Sequence, residues 1–279
     1  MKQLQSIALH AAVTLMCFVT LYPVMWVVKL ALSPSASLSP SVSPLPDEVS
    51  LQNFRDVLLN TDLQGRWLFG RQLFASVFVS GVSTLIGLLL AVTAAYAISR
   101  FRFPGKQVGL QGLLVTQMFP ATLMLVALYE LLQQLHLLDT WTGLVLVYST
   151  TSLPFCIWML KGYFDALPKE LEEAALMDGA SQTQVFVKVV LPLSRPALAV
   201  TALFAFMTAW NEYILAATLM NDEARFTLPV ALQRYVGEYK TEWGHFAAGA
   251  IVISIPVMAL FFALQKNLVG GLTSGGVKG

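Results

Sequence analysis

Apolar residues run almost unbroken through six stretches, 7–32, 73–98, 108–135, 141–163, 197–220 and 245–268. Each is about 20 residues or longer, enough to cross the hydrocarbon core of a bilayer as a helix. Between the fourth and fifth stretches the pattern changes to EEAALMDGASQTQVFVKVVLPLSRP (172–196), charged and small residues at helical spacing. Over 165–196 it predicts two short helices joined by a turn. Pro168 suits a first helical position, and Glu170, Glu172 and Glu173 follow at the positive end of the helix dipole. Leu171, Ala174 and Ala175 share a face, and Gly179 suits the left-handed position after the helix. Ser181 with Gln184 forms a capping box for a second helix carrying Val185, Phe186 and Val189 and ending near Pro192.

Composition agrees with the runs. Of 279 residues 56% are hydrophobic and 12% charged, and the mean hydropathy is +0.67. A soluble domain carries roughly twice that charged fraction, so an all-α integral membrane protein is expected. Its solvent is the lipid bilayer. The net charge of +1 provides no basic patch and so no nucleic-acid partner. Cys17 and Cys156 both lie in apolar runs and read as small buried hydrophobes.

Lys2 before an apolar core would suit a signal peptide. The core from Ile7 to Val28 is longer than such a region, however, and no small-x-small site follows. An uncleaved first span is expected. With both termini cytoplasmic, the inner segments hold Lys2, Arg100, Arg102, Lys106, Lys161, Lys169, Lys188, Arg195, Lys266 and Lys278. The outer segments hold the smaller set Arg55, Arg66, Arg71, Arg225, Arg234 and Lys240, with Lys29 near the outer end of the first span left uncounted. The positive-inside bias therefore places 172–196 in the cytoplasm.

The Ser- and Pro-rich stretch 33–46 reads as a connector to a short amphipathic piece, 51–60, outside the membrane. Pro23, Pro120, Pro154 and Pro256 lie within spans and tend to kink them. Glu130 sits near an interface; Asn211 and Glu212, in AWNEY (209–213), lie at membrane depth. A carboxylate there must face protein or water, so Glu212 is a candidate functional group or helix lock.

No energy source is visible. The chain lacks a G-x-x-x-x-G-K-[ST] phosphate cradle, an H-E-x-x-H metal motif and a G-x-S-x-G elbow. His10, His136 and His245 stand far apart, so no metal site is expected. Ionisable groups within the spans are too few for a proton-driven carrier. Energy must come from another chain.

Glu173, Ala174, Ala175 and Gly179, followed at fixed distance by Val189, Leu191 and Pro192, resemble the EAA loop of permease subunits in binding-protein-dependent ABC importers. Only Val189, where that loop carries Ile, departs from it. The resemblance implies the six-span type I importer fold as one domain over 1–279, with a coupling loop that docks on a cytoplasmic ATPase. ATPase-coupling residues are then Glu173, Ala174, Ala175, Gly179, Leu191 and Pro192. AWNEY, YVGEYKTEWG (235–244) and GLTSGGVKG (271–279) extend the resemblance to the maltose-transporter permease family. It implies that Gly237, Glu238, Tyr239, Lys240, Thr241 and Glu242 meet a sugar-binding protein. It implies further that Ser274, Gly275, Gly276, Val277, Lys278 and Gly279 lie as a tail between two ATPase subunits.

The resemblance also implies a second, related permease subunit, two ATPase subunits and an extracytoplasmic sugar-binding protein as partners. ATP and Mg would sit on the ATPase, with no cofactor on this chain. The expected role is a non-enzymatic, channel-forming subunit of a maltose or maltodextrin importer in the inner membrane. The same machine serving another oligosaccharide or a glycerol phosphate stays open, as does a secondary carrier without ATPase partners.

Overall fold

The computed structural model describes residues 2–34, 43, 45–46, 48–237 and 241–275. Among them the chain is helical, with only two isolated bridges, Thr61 to Trp67 and Val236 to Thr241. In order the helices are α1 (Lys2–Leu32), α2 (Gln52–Leu58), α3 (Leu68–Arg100), α4 (Lys106–Met118), α5 (Ala121–Gln134) and α6 (Trp141–Ala166). Next come α7 (Glu170–Met177), α8 (Gln182–Val185), a π-turn over Phe186–Val190 and α9 (Leu191–Leu193). The remainder are α10 (Arg195–Trp210), α11 (Ile214–Leu219), a 3₁₀ turn over Glu223–Arg225, α12 (Leu228–Gln233) and α13 (Trp243–Gly275).

Four helices are long and apolar enough to cross a membrane unaided: Gln5–Leu32, Leu68–Arg100, Trp141–Ala166 and Trp243–Lys266. The other two predicted spans are broken. The stretch 108–135 is not one helix: α4 and the body of α5 meet at 103°. Pro120 supplies no N–H and holds Phe119 in extended backbone (φ −80°, ψ 124°), which ends α4 there. The stretch 197–220 is likewise divided, because α10 stops at Trp210 and helix resumes only at Ile214. A further bend of 75° separates Gln182–Leu193 from α10. At the other end of the chain, α13 runs past the predicted limit at residue 268 and takes in Ser274 and Gly275. The glycines there lower helix propensity but, unlike proline, keep their N–H groups for the ladder.

The chain divides into two compact units, residues 1–72 with 230–255 and residues 73–229 with 256–279. In the first, α1 is exposed from Gln5 to Met25, an apolar surface suited to acyl chains rather than water. Its last turn is buried: Leu30 and Ala31 pack with Ala247, Ala248, Phe54 and Trp243. Asn53 then closes the helix, its Nδ2 donating to the carbonyls of Leu30 (3.3 Å), Ala31 (3.2 Å) and Ser33 (2.8 Å). Leu30 and Ala31 are among the last four residues of α1, whose carbonyls find no N–H within the helix's own i to i+4 ladder. Gly244 lies flat against this amide, and a Cβ there would come within 2.6 Å of Nδ2.

In the second unit one hydrophobic cluster underlies the 165–196 segment. Ala91, Val92, Ala95 and Tyr96 of α3 meet Cys156, Ile157, Leu160 and Phe164 of α6, Val185, Val190 and Ala205. The alanines let helix backbones approach closely, the usual basis of helix association where burial in lipid supplies no driving force. Val185 and Val190 fix the 165–196 segment onto this core.

Candidate functional site

The segment 165–196 is held by its own backbone first. Leu167 is extended (φ −72°, ψ 131°), as the residue before Pro168 must be, so α6 ends and α7 starts afresh. At the other end of α7, Gly179 has φ +87°. The N–H of Gly179 bonds the carbonyl of Leu176 (3.0 Å) and that of Ala180 the carbonyl of Ala175 (3.0 Å). This is the Schellman arrangement, which needs a left-handed residue at Gly179. A Cβ at Gly179 would meet nothing within 4 Å, so the requirement is backbone conformation and not space. One residue on from Ala180, the capping box is complete. Ser181 N donates to Gln184 Oε1 (2.8 Å) and Gln184 N to Ser181 Oγ (3.3 Å).

The inner face of α7 carries a charge. Glu172 is buried, and its Oε1 accepts from Arg100 Nε at 2.6 Å while Oε2 accepts from the Tyr96 hydroxyl at 3.0 Å. Arg100 also donates to the Leu167 carbonyl (3.3 Å) and to Ser99 Oγ (3.1 Å), and Ser99 donates to Asp165 Oδ1 (2.6 Å). The ends of α3 and α6 are thus tied to α7 through one polar network. The Tyr96 ring lies 4.6 Å from that of Phe186 and edge-on to Phe164 at 6.1 Å.

The outer face of α7 is presented to solvent. Glu173 and Ala174 are exposed, and Leu171 and Met177 remain 46% and 88% exposed beside them. Ala175 and Leu191 turn inward against the core, whereas Pro192 is exposed at the start of α9. The six residues singled out from the motif therefore separate into a presented set, Glu173, Ala174 and Pro192, a packing pair, and the turn residue Gly179.

Asn211 and Glu212 occupy the break after α10. Glu212 Oε1 accepts the N–H of Leu215 (2.8 Å), and Oε2 accepts the N–H of Ala216 (3.0 Å) and the Tyr148 hydroxyl (2.7 Å). The carboxylate stands where α11 would otherwise show unpaired donors, and it fastens the break to α6. This is the geometry of a helix lock.

Of the loop 237–242, Gly237, Thr241 and Glu242 form a tight hairpin base in which Thr241 Oγ1 donates to the Gly237 carbonyl (3.3 Å). Glu242 Oε2 lies 2.7 Å from His245 Nδ1, and His245 Nε2 lies 3.2 Å from Asp56 Oδ2 on α2. Glu238, Tyr239 and Lys240 lie outside the described residues. So do Gly276, Val277, Lys278 and Gly279, while Ser274 and Gly275 end α13.

Sequence reasoning missed Tyr96 and Arg100, whose only signal was a basic residue at the end of a span. It also missed Asp139. With φ 55°, Asp139 accepts the N–H groups of Asn221 (2.9 Å) and Asp222 (3.1 Å) and the Arg225 guanidinium. Trp141 Nε1 adds a bond to the Arg225 carbonyl (3.0 Å), joining the turn before α6 to the turn after α11.

The family described as "Binding-protein-dependent transport system inner membrane component" matches residues 83–273. The chain is 37% identical to the trehalose transport system permease protein SugB of Mycobacterium tuberculosis, with 95% of each chain covered. It is 35% identical to the maltose/maltodextrin transport system permease protein MalG of Salmonella typhimurium, covering 100% of this chain and 97% of that one. Among solved structures, a bacterial ABC transporter involved in the import of the acidic polysaccharide alginate superposes with a TM-score of 0.78. It covers 95% of this chain and 96% of that chain at 24% identity, so the likeness is one of fold.

Proposed function

Since the chain belongs to the binding-protein-dependent transport system inner membrane components, we propose that it is the channel-forming permease subunit of an ATP-driven carbohydrate importer, taking maltose or maltodextrins. One observation carries the coupling role. The Gly179 turn and the Ser181 capping box hold α7 rigidly with Glu173 and Ala174 on its open face. A rigid, small-residue helix with an exposed carboxylate suits docking into a groove on another protein.

In this reading the docked protein is one of two ATPase subunits that bind ATP and Mg, and 165–196 lies in the cytoplasm with both termini. A second, related permease completes the channel. The segment 237–242 meets an extracytoplasmic sugar-binding protein, and residues 274–279 reach toward the ATPase pair. ATP closes the ATPase dimer, the docked helices are drawn together, and the spans rock as rigid bodies from inward-open to outward-open. The Glu212 lock keeps the broken span in register during that movement.

Maltose is favoured by the full-length likeness to a maltose permease subunit, and trehalose is the second reading, from a relative of similar identity. Uptake of labelled maltose, maltotriose and trehalose by a deletion strain, with and without the restored chain, separates them. A tagged chain solubilised in mild detergent should bring an ATPase with it. Sugar uptake restored by a chain that retains no ATPase would instead indicate a secondary carrier.

A further inference from the structure

Both arms of the 165–196 segment converge on one residue of α3. The hydroxyl of Tyr96 holds the α7 arm through Glu172 Oε2, and its ring holds the other arm through Phe186. One helical turn further along α3, Arg100 takes the second oxygen of Glu172 and the carbonyl of Leu167 at the entry to α7. We infer that Tyr96 and Arg100 are positioning residues that make α3 the receiver of force applied at α7. This rests on the proposed docking of an ATPase at α7 and adds the path by which the push enters the membrane.

The chemistry of the contact supports transmission more than stability. A buried ion pair contributes little beyond what a well-packed apolar pair of the same volume would. It differs in what happens under load. Close-packed apolar side chains resist compression but are non-directional, whereas a carboxylate held at both oxygens cannot shift without losing two directed hydrogen bonds from buried groups. The Glu172 carboxyl is held in that way, because Nε of Arg100 and the Tyr96 hydroxyl hold separate oxygens. A displacement of α7 therefore drags α3. Glu173, one residue along, faces outward and is available to the partner. Adjacent carboxylates thus divide the work, one gripping the machine that pushes and its neighbour gripping the helix that moves.

Tyr96→Phe tests this with the least disturbance, since it keeps the ring against Phe186 and removes only the hydroxyl. Glu172→Gln and the exchanged pair Arg100→Glu with Glu172→Arg complete the set. Nitroxide labels are placed singly at Met177→Cys on α7 and at Leu89→Cys on α3, both exposed positions, in a Cys17→Ser background. The complex purified with its own ATPase is compared before and after trapping with ATP and vanadate, which requires no knowledge of the sugar. In the unaltered chain both labels should respond. In Tyr96→Phe and Glu172→Gln the Met177 label should still respond and the Leu89 label should lose most of its response, with partial recovery in the exchanged pair. An undiminished Leu89 response in both single variants would overturn the inference. A chain that retains no ATPase, or shows no response at Met177 without substitution, would overturn the docking itself.

Discussion

Arg100 Nε and Glu172 Oε1 stand 2.6 Å apart although 72 residues separate them in the chain. Their side chains are only 8% and 12% exposed, so the pair is shielded from screening by water and salt. It joins the end of a spanning helix to a short helix between spans.

Removing one partner should cost far more than removing both. Glu172→Ala leaves the Arg100 guanidinium buried without a counter-charge, a loss of about 3–5 kcal/mol. Arg100→Met combined with Glu172→Leu should be nearly neutral in thermal unfolding of the detergent-solubilised chain. A double replacement that costs as much as the separate Arg100→Met and Glu172→Leu losses added together would mean that the pair is not electrostatically coupled.

At Gly179 the expected penalty is conformational. A residue with a Cβ at φ +87° is strained by roughly 1–2 kcal/mol even though space is open around it. Gly179→Asp should insert into the membrane normally yet lose ATPase in a pull-down, with Gly179→Asn milder because asparagine tolerates that region. Normal transport by both variants would remove the turn from the argument.

Glu173 is the residue on which docking should depend most. Its carboxylate lies in the first turn of α7, favoured by the helix dipole and exposed to a partner. Breaking a desolvated interfacial charge pair costs about 2–5 kcal/mol. Glu173→Lys should therefore abolish sugar uptake where Glu173→Gln only reduces it, and a compensating charge reversal on the ATPase should restore part of it. Wild-type uptake with ATPase still bound to Glu173→Lys would show that this carboxylate carries no load.

The lock at Glu212 can be measured by a double-mutant cycle. Glu212→Ala strips the acceptor from two helix N–H groups, a loss of roughly 1–2 kcal/mol by analogy with helix caps. Tyr148→Phe removes one hydrogen bond, about 1 kcal/mol. Because the two groups touch, the combined variant should be less destabilised than the two losses added together. Strict additivity in the unfolding transition would mean that the 2.7 Å contact is not formed in solution.

Much of α7 and its surroundings was legible without coordinates. The left-handed glycine at 179 and the Ser181–Gln184 box depend on neighbours three to five residues away, and the structure contains both. Pro168 suits a first helical position, but α7 begins two residues later, at Glu170 with Lys169 as its cap. The broken spans were only half legible. Pro120 announced an interruption, but its 103° size follows from how α4 and α5 each find packing, which lies beyond local sequence. No proline marks the break at Asn211–Tyr213.

The sequence by itself determined the apolar lengths that demand a bilayer, the helical pattern between the fourth and fifth runs, and the turn that ends α7. All of these follow from periodicity, backbone sterics and hydrogen bonds within one helical turn. Only the tertiary structure decided between Glu172 and Glu173, two identical side chains side by side. Burying a carboxylate is favourable only where a cation and a donor already wait, and Arg100 and Tyr96 are brought there by the packing of α3 against α6. Asp139 met Asn221, and Glu212 met Tyr148, in the same way, across more than 60 positions. Long-range pairing of this kind leaves no period in the sequence, because chain separation sets no rule for which charges will meet.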